Sequence, residues 1–333
     1  MKLEKHLLRR AYMDIIQGRT QSSLPKYGKF YVKHLDLYSS EEIDEKNAEY
    51  KHYASNKGLP STEDKLKELE KEGLWSPEKE RAIEDERKMI ATLKVTKSKF
   101  VLKADINSIQ KQITDAEKIL DERITERMNL VGFTSDLYAL KKINEFYVYV
   151  TSFKDKELTE ALFTQEEFDE LHELEISVLI KNYNDLNERY NEENIKRVAL
   201  SGFFLNSFYL CKDNPFTFYG KPVINLTFHQ NELFTYGRYF KNILSELKHE
   251  PTPDVMDDPD KLIELFNVSK NSEKLKEKID QSSATTIVGA TQEDLQRMGI
   301  TATSHDTGVS LAKEAAKKGG SLDMEDLIKI HGE

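Results

Sequence analysis

Apolar residues recur at helical spacing along most of this chain. Leu3, Leu7, Ala11 and Ile15 fall every four residues, which predicts a helix over 3–17 that Gly18 ends. A loop with Pro25 and Gly28 follows, and 30–37 (FYVKHLDL) reads as one short strand or an extended arm. Ser39-Ser-Glu-Glu opens a helix running to about Gly58, and Ser61 and Thr62 start another that stops at Gly73. After Trp75, Ser76 caps and Pro77 occupies the first position of a new helix. Ile83, Ile90 and Leu93 keep one seam. Beyond a break at 96–101, Ile106, Ile109, Ile113, Ala116 and Leu120 alternate spacings of three and four, the coiled-coil period. The economical structure is an antiparallel coiled-coil hairpin; one continuous helix is the alternative.

Thr134 caps a helix through Leu140, Ile143 and Phe146. Thr164-Gln-Glu-Glu is a capping box, opening a helix over 168–190 with Leu171, Leu174, Val178 and Leu179 on one side. From Glu192 the pattern turns apolar nearly all round (VALSGFFLNSFYLC), which predicts a helix buried on every side. Lys212-Asp-Asn-Pro ends it, and the loop 213–226 is unusually apolar. Thr227-Phe-His-Gln is a second capping box, before a helix with Leu233, Gly237, Phe240, Leu244 and Leu247 in one stripe. A glycine inside that stripe predicts close approach of another helix, since an idle one costs about 0.5–1 kcal/mol.

Twelve of the 32 aromatic residues lie within the 38 positions 203–240. Each buried ring contributes about 1.5–3 kcal/mol, so this stretch is a domain core or a partner surface. At His249 the pattern changes. Prolines and acids over 251–260 mark a boundary, and one short helix occupies 260–268. No aromatic follows Phe266, so 270–333 reads as a flexible tail with nascent helices. Two of its pieces are alike, QEDLQRMG around Leu295 and MEDLIKIHG around Leu327; they are paired motifs for a partner, or a chance likeness in a Lys/Glu-rich tail.

The expected fold is mainly α: a helical bundle with a long antiparallel coiled-coil hairpin and a flexible C-terminal tail. Its divisions are an N-terminal helical and extended segment 1–74, a hairpin arm 75–132, an aromatic-rich core 133–249, and an acidic linker and tail 250–333.

Composition narrows the function. A net charge of −10 argues against general nucleic-acid affinity. No apolar run is long enough to span a membrane and the N-terminus lacks a secretory pattern, so the expectation is a cytoplasmic protein with no membrane partner. Cys211 is the only cysteine and reads as a small buried hydrophobe. No phosphate-binding loop, dinucleotide fingerprint or zinc-protease motif occurs, so no catalytic, cofactor-binding or metal-binding residue is assigned and no cofactor is expected. His172 among Glu167, Glu170, Glu173 and Glu175 reads as a solvated face before a metal site. Asp254, Asp257, Asp258 and Asp260 read as a linker before a cation site. Lys94, Lys97, Lys99 and Lys103 around Phe100 are the best nucleic-acid candidate, opposed by nearby acids. The partner-binding candidates are Phe216, Phe218, Tyr219, Arg238, Leu295 and Leu327, set against ordinary core packing for the rings and an internal ion pair for the arginine.

The segment NPFTFYGKPVINLTFHQNELFTYGRYFKNIL over 214–244, with the hairpin before it and the Asn/Lys/Glu-rich composition, resembles tailed-phage morphogenesis proteins of the tail-assembly or baseplate kind. The resemblance covers 75–270, rests on texture, and transfers no functional residue. It implies a non-enzymatic structural or assembly protein of a phage particle, made in the host cytosol. Its partners would be other protein subunits, a second copy of the chain among them. The alternatives are a cellular coiled-coil adaptor or regulator and a nucleic-acid-processing factor. A cleft lined with converging acids and imidazoles would speak for catalysis.

Overall fold

In a computed structural model, residues 3–100 and 102–280 are described. The fold is mainly α, with one small sheet. It divides into two units. Among the described residues the first comprises 3–87 with 119–263, and the second 88–118 with 264–280. This division cuts through both helices of the hairpin, whereas the sequence suggested boundaries at 74, 132 and 249. The reason is packing: the base of the hairpin belongs to the first unit's core.

In the first unit, α1 (Lys5–Gln17) ends at Gly18, whose left-handed φ of 71° turns the chain straight into β1 (Arg19–Leu24). β1 pairs antiparallel with β2 (Gly28–Lys33), matching Thr20 to Val32 and Ser22 to Phe30. The expected loop is therefore half of a β-hairpin. α2 (Leu37–Asn56) is capped by Asp36, which accepts from the Ser39 amide at 2.9 Å, so the helix starts before the Ser39 box. α3 (Thr62–Lys71) is capped by Ser61 as expected.

α4 (Pro77–Lys97) and α5 (Lys103–Val131) are two helices folded back on each other. Their partners run in opposite directions: Lys79 with Glu126 at 2.7 Å, Arg127 with Glu80 at 2.9 Å, Lys94 with Glu117 at 2.9 Å. Ile106, Ile109, Ile113 and Ala116 are all buried. At the base, Leu69, Trp75, Ile83 and Val131 form one core cluster, flanked by Leu120 and Ile124.

α6 (Ser135–Thr151) packs on α2 and leads into the short β3 (Ser152–Phe153), which pairs with β2. α7 (Gln165–Asp169) and α8 (Glu173–Asn187) replace the single helix expected over 168–190. Of the expected stripe Leu179 is buried and Leu171 packs on the same core, but Leu174 is 81 % exposed and Val178 53 %, and Leu186 takes the inward place instead. Phe30, Val32, Val148, Phe163, Phe168 and Leu179 form the core between sheet and helices.

The apolar run from Glu192 is also two helices, α9 (Glu192–Leu200) and α10 (Gly202–Leu210). Extended Ser201 separates them, its hydroxyl donating to the Arg197 carbonyl at 2.7 Å. The run is not buried on every side: Phe204 and Phe208 are enclosed, while Leu210 is 82 % exposed. The loop after it contains α11 (Pro215–Tyr219), capped by Asn214, and a single 3-10 turn at Val223–Asn225. α12 (Phe228–Glu246) carries the expected capping box, α13 (Pro253–Met256) is short, and α14 (Pro259–Asp280) runs past the expected end at 268. The helix expected over 260–268 is thus longer than its apolar pattern suggested, and 281–333 lie outside the described residues. Among the described residues no helix is long and apolar enough to cross a membrane.

Candidate functional site

The aromatic candidates separate. Phe218 packs edge-on against Phe204 and Phe208, at 5.6 and 6.0 Å between centroids. The Tyr219 hydroxyl donates to the Gln230 carbonyl at 2.8 Å, and burial pushes its pKa up. Both belong to the core. Phe216 alone is turned outward, 57 % exposed. It belongs to an apolar stretch with exposed Leu210, Val223, Ile224 and Phe228. Leu37 and Tyr38 are exposed as well, and the chain just before them meets the start of α12, where the Phe228 amide donates to the Leu35 carbonyl at 2.9 Å and Asp36 bridges to Thr227. Arg238 is exposed on α12 and among the described residues makes no ion pair or hydrogen bond, contrary to the internal pairing set against it. Leu295 and Leu327 lie outside the described residues.

The other candidates have structural partners. Cys211 is buried and donates to the Phe208 carbonyl at 3.0 Å. Glu167 closes its capping box, Glu173 pairs with Lys141, and Glu175 pairs with Lys26, so these acids do not converge on His172. Asp258 accepts from the first amides of α14, and Asp257 meets Lys5 at 2.9 Å. Lys97 donates to Gln110 at 2.8 Å, so this member of the basic cluster is held across the hairpin. Among the described residues no group of three His, Cys, Asp or Glu side chains is placed to hold a metal ion.

The structure assembles one constellation that no local motif announces. Buried Tyr190, in the turn after α8, donates to Asp14 Oδ2 on α1 at 3.1 Å. Thr20 Oγ1 on β1 hydrogen-bonds the Tyr190 hydroxyl, and His34 Nε2 lies 2.8 Å from that Thr20 oxygen. With Tyr190 donating to the carboxylate, the chain runs His34 N–H to Thr20 O–H to Tyr190 O–H to Asp14. This leaves His34 Nδ1 as an acceptor with no partner. The His229 ring stands edge-to-face on His34 at 5.1 Å and lies 5.0 Å from Tyr190. Burial, then the neighbouring His229 and Lys221, lowers the His34 pKa to about 3; burial lowers His229 to about 4. Burial raises Asp14, against the Tyr190 hydrogen bond and the charges of Arg10, Arg189 and Arg19.

Two cavities meet at Asp14. One, of about 180 Å³, is lined by Leu3, Leu7 and Ala11 with Arg10, Asp14 and Tyr190. The other, of about 380 Å³, is lined by Arg10, Asp14, Gln17, Arg19, Gln21 and Lys156. The imidazoles line neither. Asp14 therefore lines both cavities, while buried His34 and half-buried His229 line neither. Arg10 and Asp14 stand four apart on one helix face, and Gly18 reverses the chain to bring Arg19 alongside. That much has a sequence signal, RxxxD before a glycine, but Tyr190 is 176 residues away and has none.

No protein family, curated protein or solved structure matches the chain.

Proposed function

We propose that this protein is a non-enzymatic assembly component that works by burying its exposed apolar seam against other protein subunits. One observation carries the reading: Leu210, Phe216, Val223 and Ile224, each more than half exposed, lie within fifteen consecutive residues of the aromatic segment. Single exposed apolar residues are ordinary; four of them so close together in the sequence favour a partner. The same segment carries the resemblance to tailed-phage morphogenesis proteins, which points to virion subunits as those partners. The hairpin, charged on its outer faces, would serve as a reaching arm.

A second reading, catalysis, draws on the Asp14–Tyr190–Thr20–His34 chain. It is weaker because the histidines are neutral and closed off from both cavities. The geometry suits holding a ligand better than moving a proton.

The test uses the seam and the core separately. Replacing Phe216, Val223 and Ile224 together by Ser should abolish association, with itself or with products of adjacent genes, in light scattering and co-purification. The melting curve should stay where it is. Phe218→Ser should instead unfold the domain, since it opens a ring cluster worth about 3–5 kcal/mol. An unchanged assembly state in the triple variant would refute the proposal.

A further inference from the structure

We propose that the cavity between α1, β1 and Lys156 binds a small organic phosphate, with the phosphate on Arg10 and Arg19 and the carbon skeleton over Leu3, Leu7 and Ala11. This goes beyond the assembly reading and does not depend on it.

Three guanidiniums, Arg10, Arg19 and Arg189, surround the single carboxylate Asp14 closely enough to act on its charge. None of them makes an ion pair or hydrogen bond among the described residues. In a chain of net charge −10 such a gathering is not the default, because acidic side chains to neutralise it abound. Arg19 is the sharper case. Its Nε is buried and has no partner, and a donor on a charged group left unmade in the interior is costly. The same residue lines the cavity, where a ligand oxygen would meet its guanidinium.

The donors around the cavity fit a tetrahedral oxyanion. Guanidinium forks bind phosphate oxygens in pairs, and the Gln17 and Gln21 carboxamides can donate to the remaining ones. Lys156, near Glu157 at 3.6 Å, adds a point charge at the rim. The adjoining cavity selects an ester over the free ion. It shares Arg10 and Asp14 with the first, adds Arg189, and offers the aliphatic walls of Leu3, Leu7 and Ala11, where the carbon part of the ligand would lie. Asp14 sits between the two and can accept from a ligand hydroxyl.

Titration calorimetry on the full chain at low salt tests this with inorganic phosphate, glycerol phosphate, phenyl phosphate and citrate. The expected result is one saturable site for a phosphate ester, roughly tenfold tighter than for inorganic phosphate or citrate. Arg19→Gln and Arg10→Gln should each weaken it by about tenfold or more, the loss of a charge-assisted contact. Arg10 is exposed, so its variant keeps the fold whatever Arg19→Gln does. Leu7→Ser should weaken the ester and leave inorganic phosphate unchanged. No saturable binding of any phosphate at millimolar concentration, equal binding of citrate, or full binding by Arg10→Gln would each overturn the proposal.

Discussion

His34 and His229 share a pocket in which neither imidazole can take a proton cheaply, and this makes stability depend on pH. Unfolded, both titrate near 6.5; folded, they are held to about 3 and about 4. As pH falls below 6.5 the unfolded chain therefore binds protons that the folded chain refuses. Stability is complete above that value and declines toward pH 4, with a slope of up to about 1.4 kcal/mol per pH unit for each ring. Asp14 acts in the opposite sense. Its carboxyl is raised by burial, so the folded state protonates first there and recovers part of the loss. Urea unfolding at about pH 7 and about pH 5 should show the net decline, and His229→Leu should flatten it. Equal midpoints at both pH values in the parent protein would contradict this account of the pair.

At the scale of elements, α10 and α12 meet through Gly237. A Cβ there would lie 2.7 Å from Phe204 Cζ and 2.9 Å from Phe208 Cε2, and both rings are fully buried. Alanine would gain about 1 kcal/mol of helix propensity and lose about 1–3 kcal/mol to overpacking. We expect Gly237→Ala to lower the unfolding free energy in denaturant titration; a stabilised variant would mean the rings move aside freely. This approach was legible in advance because a glycine interrupted a regular apolar stripe. The Thr164 and Thr227 capping boxes were legible for a similar reason, each being a reciprocal bond between residues three apart. β1 was not legible: its inward residues are Thr20 and Ser22, small and polar, and its pairing comes from β2 rather than from its own pattern. Nor was the break at Ser201, where only one residue leaves helical geometry between two apolar runs. The candidate cavity was half legible. Arg10, Asp14 and Arg19 come from one local stretch, while Tyr190 and Lys156 are brought in by tertiary contacts that leave no trace in spacing.

At the scale of the molecule, the division into two units falls within continuous helices and at no turn or linker. Gly132 ends α5 with a φ of 67°, which made it look like a domain edge. The packing disagrees. Trp75 Nε1 donates to Glu80 at 3.0 Å, Arg127 binds the same carboxylate, and Leu69, Ile83 and Val131 close over the indole. These groups tie the near half of the hairpin to the first unit without help from the far half. The first unit should then survive alone. A chain in which a short Gly/Ser linker replaces 88–118, ending at Ile263, retains every residue of that hairpin-base cluster and of the sheet core. Calorimetry should find one cooperative transition close to the main transition of the full chain, with near-ultraviolet dichroism of the aromatic core preserved. If that chain instead lacks a cooperative transition, the distal hairpin contributes to the core and the independence of the first unit fails. If it melts as expected, the far half of the hairpin is free to engage other molecules at no cost to the fold, which is the property an assembly arm requires.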